Sequence, residues 1–109
     1  MKIVFEDEAL RELYEYGTTK DRRYVRYSRD KRFVSKLIRQ INSIRGAKTY
    51  KMLSQISPLH YERLQHDLSG FSSFRVGNEY VERVICKEHT DYIELTIIKL
   101  DDTHYGNKK

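Results

Sequence analysis

The sequence predicts an α+β domain in which helices pack on one face of a mostly antiparallel sheet. Hydrophobic spacing keeps a period near 3.6 through the first half of the chain and shifts toward 2 after Pro58. A short strand-like run also precedes the first helix, so the order is strand, two or three helices, then a meander. The 109 residues leave room for a single domain, 1–109, with a short flexible tail at about 106–109. With 39% hydrophobic and 12% aromatic residues, the chain can bury a core despite 34% charged residues, which argues against disorder.

Each element has a local reason. Lys2 to Phe5 reads as the opening strand. Glu6, Asp7 and Glu8 then put carboxylates at the positive end of a helix over about 7–16. Leu10, Leu13 and Tyr14 supply its apolar face, and Gly17 offers a left-handed stop. Residues 18–28 read as a polar, basic connection, with Ser28 as the cap of the next helix and Asp30 in its first turn. Phe33, Leu37, Ile41 and Ile44, widened by Val34 and Ile38, form a helical stripe that ends near Arg45 and Gly46. A shorter helix is expected over 47–56, with Tyr50, Met52 and Leu53 inward, stopped by Ser57-Pro58. Phe71 to Val76 and Tyr80 to Cys86 read as strands joined by a tight Gly77-Asn78 hairpin. A turn over 88–91 leads to the last strand, 92–100, apolar on both faces and so interior. Ile93, Leu95 and Ile97 share one of those faces, with Tyr92, Thr96 and Ile98 on the other.

Charge is concentrated. Residues 1–19 carry a net −3, residues 20–66 a net +10, and residues 67–109 a net −2. Such a basic segment suits a polyanion, or is simply a solvated helical face. No apolar run approaches the ~20 residues that span a bilayer, so no membrane role is expected. Met1-Lys2-Ile3-Val4-Phe5 runs straight into acidic residues, unlike a secretory leader, so a cytoplasmic location is expected. The single cysteine, Cys86, on a strand, reads as a small buried hydrophobe rather than a nucleophile. It and four scattered histidines lack the spacing of a metal site, so neither metal nor cofactor is expected.

The segment Leu59-His60-Tyr61-Glu62-Arg63-Leu64 places a histidine and an arginine three apart, bracketed by leucines. Asp67-Leu68-Ser69-Gly70-Phe71 follows, then Phe74-Arg75-Val76. Leu13-Tyr14-Glu15-Tyr16-Gly17-Thr18 opens the chain, and Asp102-Thr103-His104-Tyr105 closes it. Together these strings resemble the RelE/HigB-type toxins of bacterial toxin–antitoxin pairs, especially the HigB-like branch. There a histidine-x-x-basic turn leads through an acidic-Leu-x-Gly loop into a strand with a central arginine. The resemblance spans nearly the whole chain. It implies a RelE-like fold and a metal-independent endoribonuclease that cuts messenger RNA on the ribosome. It also implies a cognate antitoxin protein as partner, beside the ribosome and messenger.

That reaction, attack of a ribose 2′-hydroxyl on the adjacent phosphate, needs a proton acceptor, a proton donor and fixed positive charge. The resemblance puts His60, Arg63, Arg75, Asp102, His104 and Tyr105 in the catalytic set. His60, His104 and Asp102 are open candidates for acid and base, Arg63 and Arg75 for the phosphate, and Tyr105 for stacking or hydrogen bonding. Each alone has a plain reading as a surface or structural residue. Arg22, Arg23, Arg26, Lys36 and Arg39 are the expected RNA contacts. The interleaved stretch Arg22 to Arg29 can grip RNA, or be a loop anchored by Tyr24 and Tyr27. In the family a basic residue often directly follows the third-strand tyrosine; here Val81-Glu82 intervene after Tyr80, and an insertion or bulge would bring Arg83 to the site. His66 and His89 read as surface residues in turns. Two other functions fit the same fold: a non-enzymatic DNA gyrase poison of the ParE kind, or a decayed RNA-binding module.

Overall fold

The computed structural model describes residues 1–102, so His104, Tyr105 and the expected tail lie outside the described residues. Strand β1 (Lys2–Phe5) leads into α1 (Glu8–Tyr16). Asp7 caps α1, its carboxylate accepting the N–H groups of Ala9 at 3.0 Å and Leu10 at 3.4 Å. Gly17 closes it at φ 78, where a side chain would be strained, and its N–H returns to the Leu13 carbonyl.

The connection that was expected to be irregular contains a helical turn, α2 (Val25–Ser28). It turns Tyr24 and Tyr27 inward, each 6% exposed, and burying two aromatic rings outweighs the polar composition of the segment. Nor does Ser28 cap the following helix. Its hydroxyl accepts from the Thr19 N–H at 2.9 Å, and Asp30 caps α3 (Lys31–Gly46) by accepting from the Phe33 N–H. Phe33, Leu37, Ile41 and Ile44 are fully buried, as the stripe predicts. The third helix is shorter than expected. It is α4 (Tyr50–Ser54), capped by Thr49, and Met52 points outward at 37% exposure while Leu53 is buried.

The sheet has the order β1-β5-β4-β3-β2, built with β2 (Glu62–Arg63), β3 (Ser72–Arg75), β4 (Arg83–Glu88) and β5 (Glu94–Asp101). Only β1 and β5 pair in parallel. The short edge strand β2 was not foreseen; two residues carry no periodicity. The expected Gly77-Asn78 hairpin is a longer loop, residues 76–82, and Gly77 has no positive φ. Val76 is buried and the Tyr80 ring meets Phe33 edge-on at 5.0 Å, so the chain dips into the core before β4 begins. β5 starts at Glu94, two residues late, because Tyr92 stacks on His89 within the turn and Ile93 is 43% exposed. Ile85 faces Lys99 but Cys86 faces Ile97, leaving Ile98 as an extra residue. That bulge brings Leu100 inward beside Leu95 and Ile97, which simple alternation would not do. Burial pushes the Cys86 thiol well above its ordinary range, as suits a small hydrophobe.

The buried Tyr24 hydroxyl donates to Asp7 at 3.0 Å and accepts the Leu100 N–H at 3.0 Å, tying α1, α2 and β5 together. Burial first, and the nearby Asp7 carboxylate, push this phenol up to about 12 from 10. Tyr24→Phe is expected to cost about 1–3 kcal/mol at pH 7, because it leaves the buried Leu100 N–H without its acceptor and takes one donor from Asp7. A phenol with a raised folded value stabilises fully below about pH 10 and loses that contribution as pH rises through about 12. The gap between parent and variant in urea unfolding should therefore close across that window. Equal stability at pH 7 would sink the assignment. Among the described residues, no helix is long and apolar enough to cross a membrane.

Candidate active site

Sheet register decides which candidate residues meet. Arg75 on β3 lies opposite Arg83 on β4, and Arg83 lies opposite Asp101 on β5. Phe74 and Val84, next to them, face the helices, so by alternation this row lies on the opposite, open face of the sheet. Glu62 and Ser73 share that face. The Arg83 guanidinium donates through Nε to the Ser73 hydroxyl at 2.7 Å and through Nη2 to the His60 carbonyl at 3.0 Å. It also lies 3.6 Å from the Glu62 carboxylate. No bulge before Arg83 is required. The 76–82 loop absorbs the extra residues and starts β4 with Arg83 in register.

His60 ends a tight turn, Ser57–Leu59, opened by Pro58. Its backbone sits at φ 47 and ψ 47, a left-handed conformation that costs a residue with a side chain energy. The turn's own bond, His60 N–H to the Ser57 carbonyl, and the grip of Arg83 on the His60 carbonyl hold it there. The ring Nε2 lies 3.0 Å from Asn78 Oδ1, so it donates to that oxygen, and in the neutral ring Nδ1 is left as an acceptor. Arg75 donates through Nη2 to the Tyr80 carbonyl at 2.9 Å, while its buried Nε–H has no partner among the described residues.

Beneath both segments lies Gln40 of α3, 5% exposed. Its side-chain nitrogen donates to the Pro58 carbonyl and to the Arg75 carbonyl, each at 2.9 Å. One amide thus ties the His60 turn and the Arg75 strand to the same helix. Sequence reasoning missed it. The signal was there, a polar residue three after Leu37 and four before Ile44, inside the apolar stripe.

Arg63 is not part of this constellation. It lies opposite Ser72, one step along the strand from Glu62, and so belongs to the other face. Its Nε and Nη2 donate to Glu88 at 3.1 and 3.0 Å. Glu88 also accepts a short hydrogen bond from Tyr61, whose phenol is raised by burial and then by that carboxylate. Arg63 there borders a cavity of about 380 Å³ with Tyr50, Phe71, Glu88 and His89.

Asp102, just beyond β5, pairs with Arg26. Arg26 also donates to the Tyr27 hydroxyl at 3.0 Å, and Tyr27 donates to Glu82 at 2.9 Å. Arg23 forks onto Asp7 at 3.1 and 3.0 Å and onto Asp21. Two of the expected RNA contacts thus serve to fasten the basic loop, whose tyrosines are its anchors. Arg22 is exposed and forms no ion pair among the described residues. Lys36 and Arg39 border a cleft of about 200 Å³ between α3 and residues 76–79. His66, exposed on its own turn, and His89, stacked on Tyr92, stay outside the constellation.

No family model matches the chain, and no curated protein does. Among solved structures it is similar to the YoeB/ParE toxin from Agrobacterium tumefaciens, with a TM-score of 0.50 and 18% identity. The match covers 94% of this chain and 98% of that one. It establishes the fold: helices packed on a mixed, mostly antiparallel sheet, shared with that structure.

Proposed function

We propose that this chain is the toxin of a toxin–antitoxin pair, an endoribonuclease that cuts messenger RNA on the ribosome and is masked by its antitoxin. The fold shared with a YoeB/ParE toxin supports the general reading. The observation that carries the enzymatic reading is the facing pair Arg75 and Arg83 on the open sheet surface, with the His60 turn bonded to one of them. Like charges directly opposite across strands repel. A phosphate laid over the pair removes that penalty and gives the unpaired Arg75 Nε–H an acceptor once the guanidinium turns toward it.

The chemistry follows from these groups. A base takes the proton of the ribose 2′-hydroxyl, and the freed oxygen attacks the adjacent phosphorus. An acid returns a proton to the departing 5′-oxygen, leaving a cyclic phosphate and a 5′-hydroxyl. Arg75 stabilises the charge that builds on the phosphate oxygens. His60 supplies the acid or the base through Nδ1, with Asp102 and His104 as the other candidates. Arg83 holds the His60 backbone and adds positive charge, and Tyr105 remains the candidate for base stacking. Arg22 serves as a contact to ribosomal RNA in this reading and Lys36 and Arg39 as contacts to RNA at their cleft, while Arg63 has no part in the cutting.

Induced expression without a partner, followed by mapping of messenger 5′ ends, tests the proposal. Growth arrest with cuts confined to translated messages is the expected result. Equal cutting of naked RNA by the purified protein would remove the ribosome from the reading. Inhibition of DNA supercoiling without RNA cleavage would replace it with a gyrase poison, and no effect on growth or RNA with a decayed module.

A further inference from the structure

Glu79, in the 76–82 loop, projects its carboxylate onto α3, 3.3 Å from Lys36 and 3.9 Å from Arg32. It does so at the cleft that Arg39 and Asn78 also border. The seat is closely built. A Cβ at Gly77 would come within 3.0 Å of the Glu79 carboxylate and 3.1 Å of the Lys36 side chain. Yet the ion pairs are open to water, with Glu79 41% exposed, Lys36 31% and Arg32 76%. Exposed pairs of this kind hold weakly and exchange readily. The carboxyl is kept below its ordinary range, first by its own backbone N–H and then by Lys36, so it is anionic at neutral pH.

We infer that the cleft between α3 and the 76–79 segment is a phosphate subsite for single-stranded RNA, and that Glu79 occupies it in place of a phosphodiester until RNA displaces it. Three cations at positions 32, 36 and 39 run along one stretch of α3, and among the described residues the only carboxylate bordering the cleft is the one seated on two of them. The residue before Glu79, Asn78, holds the His60 ring. A strand crossing the Arg75–Arg83 pair and continuing past Asn78 therefore meets this cleft next. The inference rests on the reading of the chain as an RNA-cutting protein and adds a second phosphate contact, guarded by an internal anion.

Binding of a fully 2′-O-methylated oligoribonucleotide, which resists cleavage, by the full-length chain tests it across a series of salt concentrations. Glu79→Gln is expected to tighten binding about threefold, the scale of one exposed ion pair. Lys36→Gln should weaken binding and reduce the salt slope by about 0.7, the value for one phosphate of a single strand. In the Lys36→Gln background, the gain from Glu79→Gln should shrink, because only Arg32 is left for Glu79 to mask. Both side chains are exposed or partly so, and unchanged thermal melts would confirm that folding is intact. RNA binding that ignores Glu79→Gln overturns the subsite alone. So does a gain that persists undiminished without Lys36, which would be a general charge effect. A Glu79→Gln gain seen only for an acidic protein partner would reassign the cleft to that partner. Failure of the parent and every variant to bind the oligoribonucleotide overturns the subsite, while the functional reading stands or falls separately on the cutting of translated messages.

Discussion

Alanine in place of His60 or Arg75 is expected to lower messenger cleavage by ~10²–10⁴-fold, and alanine in place of Arg63 by less than about tenfold. The contrast is set by the sheet. Arg75 stands on the open face with an N–H to spare, opposite Arg83 and near the turn that carries His60. Arg63 is one strand step out of phase and forks onto Glu88 on the other side. Removing a general acid or base, or a donor to the phosphate, raises the barrier itself, so the loss should fall on the single-turnover rate of a ribosome-bound message. Removing Arg63 frees Glu88 at a site where the arginine is 67% exposed, and folding should tolerate that. His66→Ala and His89→Ala should be nearly silent in the same assay. If Arg63→Ala matched Arg75→Ala in its loss while His60→Ala cut normally, the open-face site would be wrong.

Gln40→Leu should lower the cleavage rate by about 10²-fold, although Gln40 touches neither RNA nor any titratable group in the site. Its amide donates to two carbonyls, one just before the His60 turn closes and one on Arg75 itself. Leucine fills the space but leaves both carbonyls short of a partner, at a cost of about 1–3 kcal/mol in urea unfolding. The larger consequence is positional. The His60 turn and the Arg75 strand would no longer be referred to the same helix, and small displacements between reacting groups are costly. A positioning role predicts a fall in the rate step with little change in affinity for a 2′-O-methylated message. Gln40→Glu replaces the donating amide nitrogen with a second oxygen, acceptor-only when ionised, so it should fail as leucine does. A stability loss unaccompanied by any fall in rate would reduce Gln40 to a packing residue.

The sequence by itself determined the α+β order, the acidic start of α1 and its stop at Gly17, and the inward stripe of α3. These depend on contacts within a few residues of chain, where spacing and side-chain type carry the information. The residues of the candidate site were also visible there as residue types in recognisable strings, but their grouping was not. Only the tertiary structure decided that Arg83 joins Arg75 while Arg63 turns away. Register sets this, and a shift of one residue moves a side chain to the opposite face. The same holds for the basic loop, whose arginines find Asp7 and Asp102 at separations of 16 and 76 residues. It also holds for Gln40, whose partners lie 18 and 35 residues away. The Gly77-Asn78 turn signal was overruled because burying Val76 and packing Tyr80 on Phe33 required a longer loop. Local propensity chose the elements, while burial and pairing across the fold chose which side chains face the same surface.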